Sequence, residues 1–233
     1  MIKYANNISL RTAACIAGLV TLTMVACAPF AELYAYPRLV ITGNGAETVK
    51  NIMAHQKLFA AVIMCYTITF VCDIVAAWAL YILLKPVNAY LSFLTALFRL
   101  IFAVVAIVSL LNLVNTFRLV TNPDFMTLFK PDQLQAQVML QLTAFRYGFH
   151  FGLILFGIHL ILLGYLVFKS KYIPWLLGWL LIISGVGYFI SSIQPYLFPE
   201  LNVGFAVYTF FGEIIFMLWL LIRGWKIQEI PRH

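Results

Sequence analysis

Between residues 58 and 117 the chain carries three formally charged side chains, Asp73, Lys85 and Arg99, in a long apolar run broken once, at Lys85-Pro86-Val87-Asn88. Each half is longer than the about 20 residues needed to cross a hydrocarbon layer about 30 Å thick. The proline turn between them folds the pair back as a helical hairpin. Asp73 lies twelve residues before Lys85 and Arg99 fourteen after it, so at 1.5 Å of rise per residue they sit roughly 18 and 21 Å from the turn, at one depth. His159, ten residues before Lys169, and Glu213, ten before Arg223, both reach roughly 15 Å. Four ionisable side chains thus converge on the middle of the layer.

Other long apolar segments complete an all-α, polytopic bundle. With 64% hydrophobic and 10% charged residues in 233, against roughly 25% charged in ordinary soluble domains, the chain reads as an integral membrane protein. Six transmembrane helices are expected, over residues 12–31, 58–84, 89–117, 139–168, 173–195 and 204–225, forming one domain across 1–233. Residues 37–44 read as an irregular loop. Residues 46–57, with Val49, Ile52 and Met53 at helical spacing, form a short interfacial helix carrying His55, and Asn122-Pro123-Asp124 and Lys130-Pro131-Asp132 each mark a helix start within the 121–138 connection. The segment ending Met24-Val25-Ala26-Cys27 has the look of a signal sequence, yet residues 12–31 are long enough to span and are assigned as helix 1.

The formal charge of +7 is scattered one or two residues per connection, with no basic run or face of the kind a nucleic acid needs. It works instead as a topology signal. Lys3, Arg11, Lys85, Lys169, Lys171, Arg223, Lys226 and Arg232 fall on one side, and Arg38, Lys50, Lys57, Arg118 and Lys130 on the other, which puts both termini in the cytoplasm. Cys15, Cys27, Cys65 and Cys72 lie in apolar runs without a CxxC motif.

The chain resembles, nearly end to end, a family of multi-pass bacterial membrane proteins designated domain of unknown function 4386. The likeness rests on Arg11 with Ile16-Ala17-Gly18, Asp73, Leu80-Tyr81, Pro86-Val87-Asn88, Arg99-Leu100, Phe156-Gly157, His159 and Gly164-Tyr165. It continues through Lys169-Ser170, Pro174, Leu177-Gly178, Gly187-Tyr188, Glu213 and Trp219. It implies a helical bundle in the bacterial cytoplasmic (inner) membrane and no particular activity.

A charge at the bilayer centre costs roughly 2.5–3.5 kcal/mol on insertion scales, so the four midplane residues are expected to face one interior and neutralise each other. Asp73 and Arg99, on adjacent helices, are the expected ion pair; a register-fixing salt bridge is the bland alternative. His159 is the expected proton carrier, because its unperturbed pKa near 6.5 is the one that titrates near neutrality. Glu213 is a partner for His159 or Arg99, or a lone acid that stays protonated. A second, outer polar group is expected from Arg146, His150, Asn112, Asn115 and Gln194.

Neither a metal nor a cofactor is expected. His150 and His159 are roughly 180° apart around one helix, which does not make a haem site, and a zinc site from Asp73, His159 and Glu213 has no ligand motif behind it. The expected partners are the lipid bilayer and a small polar ligand or ion held at the midplane, giving a binding or transport protein. The alternatives are a membrane-embedded enzyme using the same groups as acid and base, and a scaffold whose buried charges are structural. Gly148, Gly152, Gly157, Gly164, Gly178, Gly185 and Gly187 are assigned to close helix packing.

Overall fold

The structure, a computed structural model, describes residues 8–204 and 209–227. Among the described residues the regular elements are all helical. In chain order they are α1 (Leu10–Pro29), a π-helical stretch (Phe30–Ala35), α2 (Tyr36–Leu39), α3 (Gly45–Ala54), α4 (Gln56–Leu84) and α5 (Ala89–Thr121). There follow α6 (Pro123–Leu128), α7 (Pro131–Lys169), α8 (Trp175–Leu197), α9 (Phe211–Arg223) and a 3-10 turn (Gly224–Lys226). Among the described residues five helices are long and apolar enough to cross a membrane: Leu10–Leu39, Gln56–Leu84, Ala89–Thr121, Pro131–Lys169 and Trp175–Leu197. Their middles expose Leu19, Met64, Val71, Val104, Val108 and Ile183, an arrangement suited to hydrocarbon rather than water.

The segment expected as the sixth span is represented by α9, whose 13 residues extend about 20 Å, short of a bilayer's hydrocarbon thickness. Residues 205–208 of that expected span lie outside the described residues, as do Lys3 and Arg232 of the topology count. Two boundaries also differ from expectation. Pro37 and Arg38 are helical rather than part of a loop, because the first helix continues through the π-helical stretch into α2. Pro37 lies in the first turn of α2, where its missing N–H does no harm, and the widened π turn before it makes room for the ring. The fourth long helix starts at Pro131 rather than 139; the polar run Asp132 to Gln137 obscures its first turns.

The short elements follow their caps. Asn44 Oδ1 accepts from Glu47 N at 3.0 Å, opening α3, after a turn in which Gly43 holds φ +77°, a backbone region natural to glycine. Asn122 Oδ1 accepts from Asp124 N at 3.0 Å and opens α6. α3 and α4 are separated at His55, whose φ of −124° and ψ of 45° break the helix.

The chain divides into two compact units. One consists of the described parts of Met1–Leu22, Cys72–Phe102 and Leu153–His233. Here α7 and α8 approach until glycine backbones touch: a Cβ on Gly157 would lie 2.8 Å from Gly185 O, and one on Gly164 2.5 Å from Gly178 O. Gly18 packs on Leu221 and Gly224 on Ala14, joining α1 to the chain's last helix, and Arg11 Nε donates to Trp225 O. Tyr172, in the turn between α7 and α8, donates its hydroxyl to Leu83 O at 2.5 Å. Burial pushes its ionisation well above the usual tyrosine range, so it remains a donor at ordinary pH.

The other unit, Thr23–Val71 and Ala103–Gly152, has an aromatic core. Tyr66 stacks on Phe70 at 5.9 Å and meets Phe145 edge-on at 5.2 Å, while Phe59 stacks on Phe117 at 6.2 Å. The four cysteines are free thiols, and in this unit Cys27 lies beside Cys65.

Candidate functional site

Within the first unit the hairpin α4–α5 brings Asp73 and Arg99 together, as equal depth from the turn requires. Both are buried, at 1% and 4% relative exposure. Arg99 Nε donates to Asp73 Oδ1 at 2.9 Å, and Nη2 reaches the same oxygen at 2.8 Å. Arg99 also lies over the Phe156 ring, 5.3 Å from its centroid, a face that attracts a cation.

His159, fully buried on α7, completes this centre. Its Nδ1 lies 2.8 Å from Thr95 O and its Nε2 3.3 Å from Arg99 Nη1. A carbonyl oxygen can only accept and a guanidinium can only donate, so the proton belongs on Nδ1 and Nε2 accepts from Arg99. Both ring nitrogens are engaged with the imidazole neutral. A second ring proton would point at the guanidinium, so the geometry does not favour the proton-carrying role expected from composition alone.

Glu213, in the first turn of α9, is placed differently. Its Oε1 is buried and has no hydrogen-bond partner among the described residues, and the Tyr188 hydroxyl lies beside its carboxyl. A small cavity, about 20 Å³, is lined by Arg99 and Glu213 together with Thr21, Leu80, Leu160, Leu163, Leu181, Phe216 and Leu220. That is room for about one water molecule.

The charges decide what this centre can do. Asp73 and Arg99 cancel, His159 is neutral, and Glu213 is left as a second acid near a single cation. An isolated buried carboxylate carries a penalty of several kcal/mol. A bound proton removes it most simply, since a hard cation such as calcium needs six to eight oxygen ligands and the cavity wall is mostly leucine. Among the described residues no group of three His, Cys, Asp or Glu is placed to hold a metal ion.

Of the expected outer group, Arg146 joins a network in the second unit: its Nη1 pairs with Glu32 Oε1, Tyr66 donates to Glu32 Oε2, and the guanidinium stands 5.1 Å from the Tyr36 ring centroid. His150 meets Phe149 edge-on at 6.3 Å and is exposed. Asn112 Nδ2 donates to Ser109 O within its own helix at 2.9 Å, and Asn115 is exposed. Gln194 closes the end of α8 by donating to Phe198 O and Pro199 O, at 3.2 and 2.8 Å.

Thr95, Glu32 and Tyr66 are members of these networks that sequence reasoning does not single out, and Phe156 and Tyr188 enter it only through the family likeness, with no role assigned. Thr95 contributes a backbone oxygen, for which no residue-type signal exists. Tyr188 and Tyr66 have the commoner reading of interfacial or core aromatics, and Glu32 that of a loop acid, because helix 1 is expected to end at residue 31.

A protein of Archaeoglobus fulgidus described as "Uncharacterized protein" is 38% identical over 159 residues, covering 68% of this chain and 80% of that protein. No solved structure matches the chain. The description "Domain of unknown function (DUF4386)" matches residues 16–224, which take in Asp73, Arg99, His159, Tyr188 and Glu213 alike, and the chain belongs to that family.

Proposed function

We propose that the protein is a membrane-embedded binding or transport protein whose buried centre takes up and releases a proton at Glu213. The observation that carries this reading is Glu213 Oε1, buried and unpartnered among the described residues, beside Arg99 in a cavity of about 20 Å³. Asp73 and His159 hold Arg99 in place, so that its charge stays near the acid whatever the acid's protonation. Tyr188 supplies the hydroxyl through which a proton can be handed on. A small polar ligand or ion that approaches Arg99 or Glu213 alters the balance between them, which couples its binding to the proton.

The test is infrared difference spectroscopy of the protein in lipid nanodiscs, titrated from pH 5 to 9. A protonated-carboxyl band that changes with pH and vanishes in Glu213→Gln is expected. The same variant should lose proton flux in liposomes loaded with a pH-sensitive dye. A scaffold would keep that carboxyl in one state throughout, so a band that does not titrate, or a Glu213→Gln spectrum identical to the native one, rejects the proposal.

The same reading includes a sixth crossing through residues 204–225, and a prokaryotic cytoplasmic membrane with both termini on the cytoplasmic side, on the strength of the basic-residue asymmetry. In a background without the native cysteines, a thiol at exposed Thr42 should react with an impermeant reagent in intact cells and one at exposed Lys171 should not. The opposite pattern inverts the orientation.

A further inference from the structure

Tyr81 and Lys85 are four residues apart at the end of α4, and Tyr165 and Lys169 are four apart at the end of α7. The spacing puts each lysine over the preceding turn's ring, and both ammonium groups stand 5.7 Å from the ring centroid. The aliphatic stem covers the aromatic while the charge is carried to the helix end, the posture of a side chain reaching from hydrocarbon towards headgroups. Tyr172 bonds to Leu83 O and so fastens the turn bearing Lys171 against the end of α4 that bears Lys85. Three lysines are thereby gathered at one corner of the first unit. The same device recurs at the chain's end, where Lys226 Nζ lies 4.8 Å from the Trp225 ring centroid and Arg11 bonds to Trp225 O.

Among the described residues the charge on these helix ends is uncompensated. Apart from Arg99, the described Lys and Arg of this unit are Arg11, Lys85, Lys169, Lys171, Arg223 and Lys226, and all six are exposed. Its described acids are Asp73 and Glu213, in the buried centre, and Glu200, beyond the opposite end of α8. None of the six is paired with a carboxylate among the described residues. Exposed aromatics lie near the same ends: Tyr90 at 91%, Trp175 at 60% and Trp225 at 49%, residues suited to the membrane–water interface.

We propose that this corner, Lys85 and Lys169 over their tyrosine rings and Lys171 on the turn anchored by Tyr172, is a docking surface for anionic phospholipid headgroups. A lysine held at an anionic leaflet strengthens association by about fivefold, and a preassembled set of three gives preference for a phosphate-bearing, negatively charged headgroup over a zwitterionic one. The site is independent of the buried centre and stands whether or not Glu213 exchanges a proton.

The test is thermal melting of the full chain in mild detergent during titration with short-chain phosphatidylglycerol, with phosphatidylcholine, and with inorganic phosphate. A saturable rise in Tm is expected with phosphatidylglycerol alone. Lys171→Gln, on the turn outside every helix, should weaken the apparent affinity about fivefold. The triple variant Lys85→Gln, Lys169→Gln and Lys171→Gln should lose the response, and the corresponding triple arginine variant should keep it. An equal rise with phosphatidylcholine, a rise reproduced by inorganic phosphate, or a full response in both Lys171→Gln and the triple glutamine variant overturns the proposal. Lys171→Gln decides the matter if the triple variant does not fold.

Discussion

Replacing Asp73 by Asn or Arg99 by Gln is expected to lower stability by about 3–5 kcal/mol each, and replacing both to cost less than either alone. In a single variant the surviving charge is left in a site where Asp73 is 1% and Arg99 4% exposed. Asp73 then keeps a carboxylate that had accepted two N–H groups on one oxygen, at 2.8 and 2.9 Å. The double variant places two neutral amides where a pair of charges stood, and they can hydrogen bond to each other across the hairpin. The two positions are unequal in one respect. Arg99→Gln also takes the donor from His159 Nε2 and the cation from beside Glu213, so it should be the more damaging single change and should alter the pH response of the centre, whereas Asp73→Asn leaves both contacts available. Melting of the three variants in one lipid-like detergent measures this. Additive losses would mean that the ion pair contributes no coupling.

The reason Asp73 and Arg99 are legible in sequence is geometrical: a short turn and a fixed rise per residue set the depth of both, and adjacent helices bring equal depths together. His159 and Glu213 can be placed in depth by the same count, but not in azimuth. Which face of α7 carries His159 depends on how far α7 and α8 interpenetrate, and that is decided by the glycine pairs, whose partners no single segment reveals. The bond from His159 Nδ1 to Thr95 O cannot be anticipated from side-chain types, and it is this bond that fixes the tautomer and leads the proposed function to rest on Glu213 rather than on the imidazole. Arg146 is recognisable as a cation needing a partner. Its partner is hidden because a π-helical stretch carries helix 1 past residue 31 and brings Glu32 against Arg146 and Tyr66 of the second unit. Helical spans end where the sequence turns polar only when nothing inside the protein receives the polar group.

The second large effect is expected at the glycines of α7 and α8, and its pattern should be the reverse of the ion pair's. By helix propensity alone Gly164→Ala would stabilise α7 by about 1 kcal/mol. The added methyl would, however, lie 2.5 Å from Gly178 O, 2.7 Å from Ile182 Cγ1 and 2.9 Å from Ile182 N, where ordinary carbon–oxygen contacts are about 3.3–3.6 Å. Two of those three neighbours are backbone atoms of the facing helix and cannot turn aside, so the helices must separate. Overpacking of this kind costs about 1–3 kcal/mol, and in a membrane, where close backbone approach is a main source of helix association, there is little to offset it. Gly178→Ala meets the same obstacle from the other side, 2.6 Å from Gly164 O and 2.7 Å from Phe168 N. One separation of the helices accommodates both methyls, so the double alanine variant should be less stable than either single one yet lose less than their sum. For Asp73 and Arg99 the double variant should be more stable than each single, because there the penalty comes from an unmatched charge. Melting both sets side by side separates steric from electrostatic coupling, and a gain of about 1 kcal/mol in Gly164→Ala, the value propensity alone would give, would mean that α7 and α8 do not meet at this glycine.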